Sequence, residues 1–353
     1  MKMKLLAAAV AASALATANV NAAGLDDVKV TTKGGLKVES GDCKFQIGGR
    51  IQYDYARSEL NGDTQNDGFD VRRARIFIKG NVSKYWGFKA QANLDGDGGD
   101  DNFEDLYLQY TGFGKGAVVT IGNSKQPYGL EEVTSSKDIS FLERAAITEL
   151  FAVGRQEGVK VSGALGNNQY YGIGAYLSDD DDSDDELGFT ARYSIAPVKT
   201  DRSVVHLGLG YSTIEETDAF NLEVAATSGS FHVQAEYYDG EFNDEDADGF
   251  YVQAGYILTG ETRPYKGGKF KRIKPNSKAG AWEIVARYED GNGEFDDIEL
   301  GDQVGASEVS SYGIGLNYYA NDNIRIGVNY TDGDSDNTSD DGNEFRLRFQ
   351  VTY

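Results

Sequence analysis

The last eleven residues, Asn343-Glu-Phe-Arg-Leu-Arg-Phe-Gln-Val-Thr-Tyr353, constrain the fold more than any other stretch of the chain. Phe345, Leu347, Phe349, Val351 and Tyr353 are apolar, while Glu344, Arg346, Arg348, Gln350 and Thr352 are polar. A strand sends successive side chains to opposite faces, so this segment carries one apolar and one polar face along its whole length. Such a strand either buries its apolar face in a soluble sandwich or turns it toward lipid. How often the pattern recurs upstream decides between the two.

It recurs almost without pause. Phe45, Ile47, Ile51, Tyr53 and Tyr55 share one face, and Gln46, Arg50, Gln52 and Asp54 the other. Comparable runs fall near 70–79, 85–95, 103–110, 117–122, 157–165, 169–178, 187–196 and 203–212. Others follow near 219–228, 230–238, 249–259, 280–289, 311–320, 323–331 and 344–353, giving sixteen strands, the even number that bacterial barrels require. The 44 Gly, 22 Tyr and 17 Phe beside 4 Pro favour short strands and aromatic girdles over helices. Mean hydropathy is −0.48 and no apolar run of eighteen residues follows the first segment, so a transmembrane helix is excluded. A barrel is not, because alternating strands never score as apolar segments.

The connections alternate too. Short links at 80–83, 166–169, 228–230 and 320–322 alternate with acidic ones at 57–68, 96–102, 179–186, 239–248, 290–308 and 332–342. Short periplasmic turns and long outer loops are the habit of outer-membrane barrels, and this parity places every acidic loop outside. A soluble two-domain sandwich has no reason for that length alternation. The fold expected is therefore all-β, a 16-stranded antiparallel transmembrane β-barrel with a third extracellular loop folded inward. Residues 1–22 form a secretory signal, with Lys2 and Lys4, an apolar middle and a small-residue cleavage site ending at Ala22. Residues 23–44 are a polar lead-in and 45–353 the barrel. The basic segment 260–279 falls where a short turn is expected; it either enters the lumen mouth or forms a solvated loop.

Two segments carry chemistry. In Phe69-Asp-Val-Arg-Arg-Ala-Arg-Ile-Phe-Ile-Lys-Gly80, parity sends Ala74, Ile76 and Ile78 to lipid and Arg73, Arg75, Phe77 and Lys79 into the lumen. An arginine at the lipid midplane costs about 2–4 kcal/mol, which fixes that choice. Arg72 has the wrong parity and needs a bulge or a strand end to turn inward. The second segment, 122–144, lacks alternation and forms the third outer loop. Folded inward, it brings Lys125, Ser135, Ser136, Lys137 and Arg144 toward Arg73 and Arg75.

These segments resemble the phosphate-selective porin family of Gram-negative outer membranes. The matching pieces are Gly48-Gly-Arg50, Arg72-Arg-Ala-Arg75, Pro127-Tyr-Gly-Leu-Glu131, Thr134 through Arg144, Gly154-Arg-Gln-Glu-Gly158 and Gly280 through Arg287. The resemblance implies a homotrimer of barrels that passes small anions such as phosphate through an arginine-lined constriction. By motif, it places Arg72, Arg73, Ser135, Ser136 and Arg144 at the anion, with Asp105 as a further match. The expected mechanism is partial dehydration, with Arg73, Arg75 and Arg144 replacing water around the ion. The alternatives are a general or cation-preferring porin with a mixed-charge constriction, and a structural or adhesin-like barrel.

The formal net charge of −23 excludes nucleic acid as a partner and sets acidic loops against anion entry. Asp244-Glu-Asp-Ala-Asp-Gly249 starts like a calcium loop but has Gly255 at position twelve, and in Asp332-Gly-Asp-Ser-Asp336 the required Gly is Asn337. The acidic loops are solvated surface or bridge to lipopolysaccharide through divalent cations. No cofactor is implied. His206 and His232 have lumen-facing parity and no serine partner in a recognisable motif, which argues against a hydrolase. Cys43 is the sole cysteine, so no internal disulfide forms.

Overall fold

The computed structural model describes residues 28–32, 34–94, 103–177, 186–214, 217–242, 245–293, 308–335 and 340–353. The signal segment and the cores of several acidic loops, including Asp244, lie outside these residues. Two short strands, β1 (Lys29–Thr31) and β2 (Leu36–Ser40), pair with each other, and β2 pairs with the start of β3 (Cys43–Leu60). The lead-in is thus a hairpin that prolongs the wall. The chain continues through β4 (Asp63–Asn81), β5 (Trp86–Asn93), β6 (Phe103–Tyr110), β7 (Val118–Lys125), β8 (Arg155–Leu165) and β9 (Gln169–Leu177). Then come β10 (Leu187–Lys199), β11 (Ser203–Ile214), β12 (Thr217–Ser228), β13 (Phe231–Phe242) and β14 (Glu245–Ile257). The last four are β15 (Ala281–Gly293), β16 (Glu308–Tyr319), β17 (Ile324–Ser335) and β18 (Asp341–Thr352).

From β3 onward each strand pairs antiparallel with the next, and β18 returns to β3 from Thr352↔Arg50 to Gly342↔Leu60. The result is a closed 16-stranded antiparallel barrel. Tyr353 seals the seam: it exchanges backbone hydrogen bonds with Gly49 at 2.9 and 3.1 Å. Closure leaves no sheet edge with unpaired amides in hydrocarbon.

Burial is inverted relative to a soluble protein. On β12, Asn221 and Glu223 are buried while Phe220, Leu222 and Val224 are more than half exposed. On β18, Arg348 and Gln350 are buried and Phe349, Val351 and Tyr353 face outward. Exposed aromatics ring both rims, with Trp86–Tyr110 and Trp282–Tyr318 contacts at one end and Tyr211–Phe220 and Phe250–Tyr288 at the other. That outer face is built for lipid.

Several acidic stretches expected to be long loops are strand. Residues 57–68 form a hairpin closed by Asn61 (φ 52°) and Gly62 (φ 82°), the left-handed pair that a two-residue turn needs. The described parts of 239–248 and 332–342 likewise belong to β13, β14, β17 and β18. Backbone pairing continues past the lipid band because nothing there opposes it. Tyrosine hydroxyls just below donate to the carboxylates, as in Tyr55–Asp67 (2.7 Å), Tyr211–Asp218 (2.5 Å), Tyr288–Asp290 (2.8 Å) and Tyr330–Asp332 (2.9 Å). These four carboxylates therefore sit beside aromatic side chains of the outer face. Among the described residues, no three His, Cys, Asp or Glu side chains group as a metal site.

Candidate functional site

The third outer loop, 126–154, enters the lumen and lies on its far wall. Its first helical turn, Leu130–Val133, follows Gly129 (φ 66°) and has no capping side chain of its own. Glu236 on β13 supplies the cap, accepting Leu130 N–H at 2.6 Å and Glu131 N–H at 2.8 Å. Farther along, Ser140 donates to Glu283 (2.9 Å), Leu142 N–H donates to Asn329 (2.7 Å), and Arg325 holds the Ile139 carbonyl (2.7 Å). Arg348 holds the Leu142 carbonyl. Leu130, Ile139, Phe141 and Leu142 are almost fully buried beneath these contacts.

The basic segment after β14 folds into the lumen from the opposite end. Phe270 and Ile273 are buried, and the Tyr265 hydroxyl lies 2.7 Å from His206 Nδ1. Lys269 donates to the Val133 carbonyl (2.9 Å), and Lys271 pairs with Asp138 (3.5 Å), so the two loops meet. His206 and His232 are struts in this packing, paired with Glu223 and Glu283 at 2.8 Å each.

A cavity of about 1060 Å³ lies against the side of the barrel formed by β3 to β10. Its lining carries fourteen Lys and Arg side chains against three Asp and Glu. Of the residues expected at the site, Arg73, Arg75, Asp105, Lys125, Ser135, Ser136, Lys137 and Arg144 all line this cavity. Arg72 does not, although it does turn inward. The β3–β4 register slips between Gln52↔Arg73 and Asp54↔Asp70, leaving two residues of β4 opposite Tyr53. That bulge re-aims Arg72 onto Glu143 of the third loop, at 3.0 and 3.2 Å.

The three arginines expected to replace water around the ion each already hold a carboxylate. Arg73 pairs with Glu143 (3.0 Å), Arg75 with Glu104, and Arg144 with Glu132 (3.1 Å) and Glu149 (3.0 Å). Arg144 also donates to the Glu131 and Thr134 carbonyls (3.2 Å each), so it staples the loop to itself. Lys125 pairs with Glu132 at 2.5 Å, and Asp105 bridges Lys89 and Arg155. Arg50 and Lys137 differ: among the described residues, neither has a carboxylate within ion-pair distance. Among the described residues, the Arg50 side chain makes one hydrogen bond, to Ser135 Oγ at 3.4 Å. Burial pushes the Lys137 ammonium below its ordinary range, opposed by Asp138 and reinforced by Arg50.

Sequence reasoning missed Arg50, Lys89, Arg155, Lys160, Lys269 and Lys271 in the lining. Parity on β3, β5 and β8 carried a signal for Arg50, Lys89 and Lys160, whereas Arg155, the first residue of β8, shares the parity of the outward-facing Val159. The basic run 260–279 marked the insert that carries the other two lysines, but which of its cations reach the cavity depends on where that segment packs. Burial, with Lys271, Arg192, Lys125 and Lys160 nearby, pushes Lys269 down to about 7. It is charged below that pH and neutral above it. Chloride conductance should therefore fall as pH rises from 6 to 8, and Lys269→Arg, which stays charged, should make the step smaller, with Lys125 and Lys160 still lining the same cavity. An unchanged pH profile in that variant would assign the step elsewhere.

Comparison with known proteins agrees with this geometry. The family model for phosphate-selective porin O and P matches residues 45–221 and 212–353. Porin O of Pseudomonas aeruginosa is 30% identical over 98% of this chain and 97% of its own length. Among solved structures, an anion-selective porin from Comamonas acidovorans aligns with a TM-score of 0.61 at 11% identity, covering 88% of this chain and 100% of that one. The outer membrane channel DcaP of Acinetobacter baumannii gives 0.57 at 14% identity over 91% and 100%. These two structures share the barrel fold. The chain is an outer-membrane porin and belongs to the phosphate-selective porin O and P family.

Proposed function

We propose that this porin lets small anions, phosphate among them, diffuse passively through the cationic cavity on the β3–β10 side. The observation that carries this reading is the lining, fourteen cations against three anions in a chain of net charge −23. Charges beyond about 8–10 Å are screened by physiological salt, so an ion in the cavity responds to its walls more than to the outer rim. Rings of Arg and Lys are how pores favour anions. Arg50 and Lys137, with no carboxylate at ion-pair distance among the described residues and with Ser135 beside Arg50, are the groups that replace the ion's water. The paired arginines shape the field and hold the loop.

The same reading takes residues 1–22 as a signal removed after Ala22, and the assembly as a homotrimer. The low wall of β5, β6 and β7 supports a trimer. Among the described residues each has eight, which at the usual rise and tilt span about 20 Å, less than the roughly 25 Å apolar band of a barrel. A neighbouring copy would shield that side.

The test is the reversal potential of the purified protein in a planar bilayer under a potassium chloride gradient, followed by phosphate titration on one side. Anion selectivity with chloride current blocked by phosphate is expected. Cation selectivity, or indifference to phosphate, would reject the assignment.

A further inference from the structure

We infer that Glu143 sets how tightly the outer arginine cluster of this pore holds an anion, by occupying that cluster as an internal counter-anion. The inference rests on the anion-pore reading above.

One carboxylate on the third loop meets four guanidinium groups. Glu143 accepts from Arg72 (3.0 and 3.2 Å) and Arg73 (3.0 and 3.2 Å), contacts Arg348, and lies 3.8 Å from Arg346. Burial alone would push its carboxyl up, but Arg348, Arg73 and Arg72 hold it well below the usual carboxylate range. Two wall carboxylates share the cluster. Asp54 on β3 binds Arg348 (2.6 Å) and Arg346 (3.0 Å), and Glu344 on β18 binds Arg346 (2.6 Å). Four positive charges thus face three negative ones, an excess of one. Without Glu143 the excess is two.

Glu143 is the carboxylate of this set that both holds Arg72 and Arg73 and can yield, since Glu344, 36% exposed, pairs with Arg346 instead. Asp54 is fixed on a strand and 2% exposed, whereas the side chains of Glu143 and Arg72 are 26% and 42% exposed. The backbone around Glu143 is held independently of its carboxylate. Asn329 accepts Leu142 N–H, Arg348 holds the Leu142 carbonyl, and Arg287 holds the Glu143 (3.1 Å) and Arg144 (3.3 Å) carbonyls. The side chain can swing away while the loop stays on the wall.

A guanidinium fork binds carboxylate and phosphate oxygens in the same bidentate way, so an incoming oxyanion and Glu143 compete for the same N–H donors of Arg72 and Arg73. A pore must bind its ion strongly enough to admit it and weakly enough to release it. With Glu143 gone, the excess of two positive charges, centred on Arg72 and Arg73, would hold a multivalent anion too tightly. Glu143 converts the trap into a relay, yielding its donors as the anion arrives and reclaiming them as it leaves.

The experiment is the phosphate titration of chloride current in planar bilayers on wild type, E143Q and E143D. For E143Q the half-blocking phosphate concentration should fall roughly tenfold, which corresponds to about 1.4 kcal/mol of anion affinity. E143D keeps the charge on a shorter arm and should lie between the two, a drop of roughly threefold. An E143Q half-block equal to or above that of wild type overturns the inference, as does a large conductance increase with weakened block, which would make Glu143 a loop tether only. Should E143Q not assemble, E143D decides alone, and an unchanged half-block there overturns it. A wild-type pore that is cation-selective or indifferent to phosphate would instead remove the functional reading beneath it.

Discussion

Reversing two charges, Arg50→Glu with Lys137→Glu, should cut the anion-over-cation permeability ratio by at least roughly tenfold and move the reversal potential toward the cation value. The argument rests on pairing. Most lumen arginines near the third loop already face a carboxylate, so changing one of them rearranges an ion pair and alters the field less than its charge suggests. Arg50 and Lys137 have no such partner among the described residues, so the full change reaches the ion. Two unit charges about 7 Å apart interact by roughly 2 kcal/mol at an effective dielectric of 20, and a factor of ten needs about 1.4 kcal/mol. Bi-ionic reversal potentials in bilayers measure this directly. The same double change at Arg73 and Arg144 should have the smaller effect on selectivity and the larger one on loop order. If the two pairs rank the other way, the free-cation argument fails.

Glu236→Ala should enlarge the channel. This single carboxylate, 2% exposed, accepts from Leu130 N–H, Glu131 N–H, Tyr238 Oη (3.0 Å), Tyr251 Oη (2.5 Å) and Asn221 Nδ2 (3.3 Å). Alanine leaves these donors buried without their acceptor, at about 1–3 kcal/mol for each one unsatisfied. The first turn of the third loop has no other cap, so it should leave the wall, while the Ile139–Leu142 stretch stays on β15 to β18. Single-channel conductance is expected to rise about two- to threefold with a loss of anion preference, since the loop's lysine and serines move off the path. Unchanged conductance would mean that the distal anchors alone position the loop.

The barrel was legible because its signal is local. Sixteen alternating runs matched sixteen strands one for one, and the polar faces at Arg73, Arg75, Arg348 and Gln350 turned inward as their parity required. Arg72 was legible in part: its parity demanded a bulge, and a register slip lies beside Tyr53. The acidic segments 57–68, 239–248 and 332–342 were less so, since charge near a turn resembles a loop until pairing shows that the strands run on. The basic segment 260–279 stood at the right place for either a solvated loop or an inward fold. Its packing of Phe270 and Ile273 chose the latter.

The sequence by itself determined strand number, facing and family, because a two-residue period and a contiguous motif survive without any knowledge of what lies across the lumen. The tertiary structure alone decided which cations act. Arg73, Arg75 and Arg144 look no different from Arg50 and Lys137 along the chain, and only the approach of Glu143, Glu104 and Glu132, each at least twelve positions away, separates the paired from the unpaired among the described residues. Charge compensation is a property of distance in space, and a sequence with net charge −23 around a cationic channel carries no record of it.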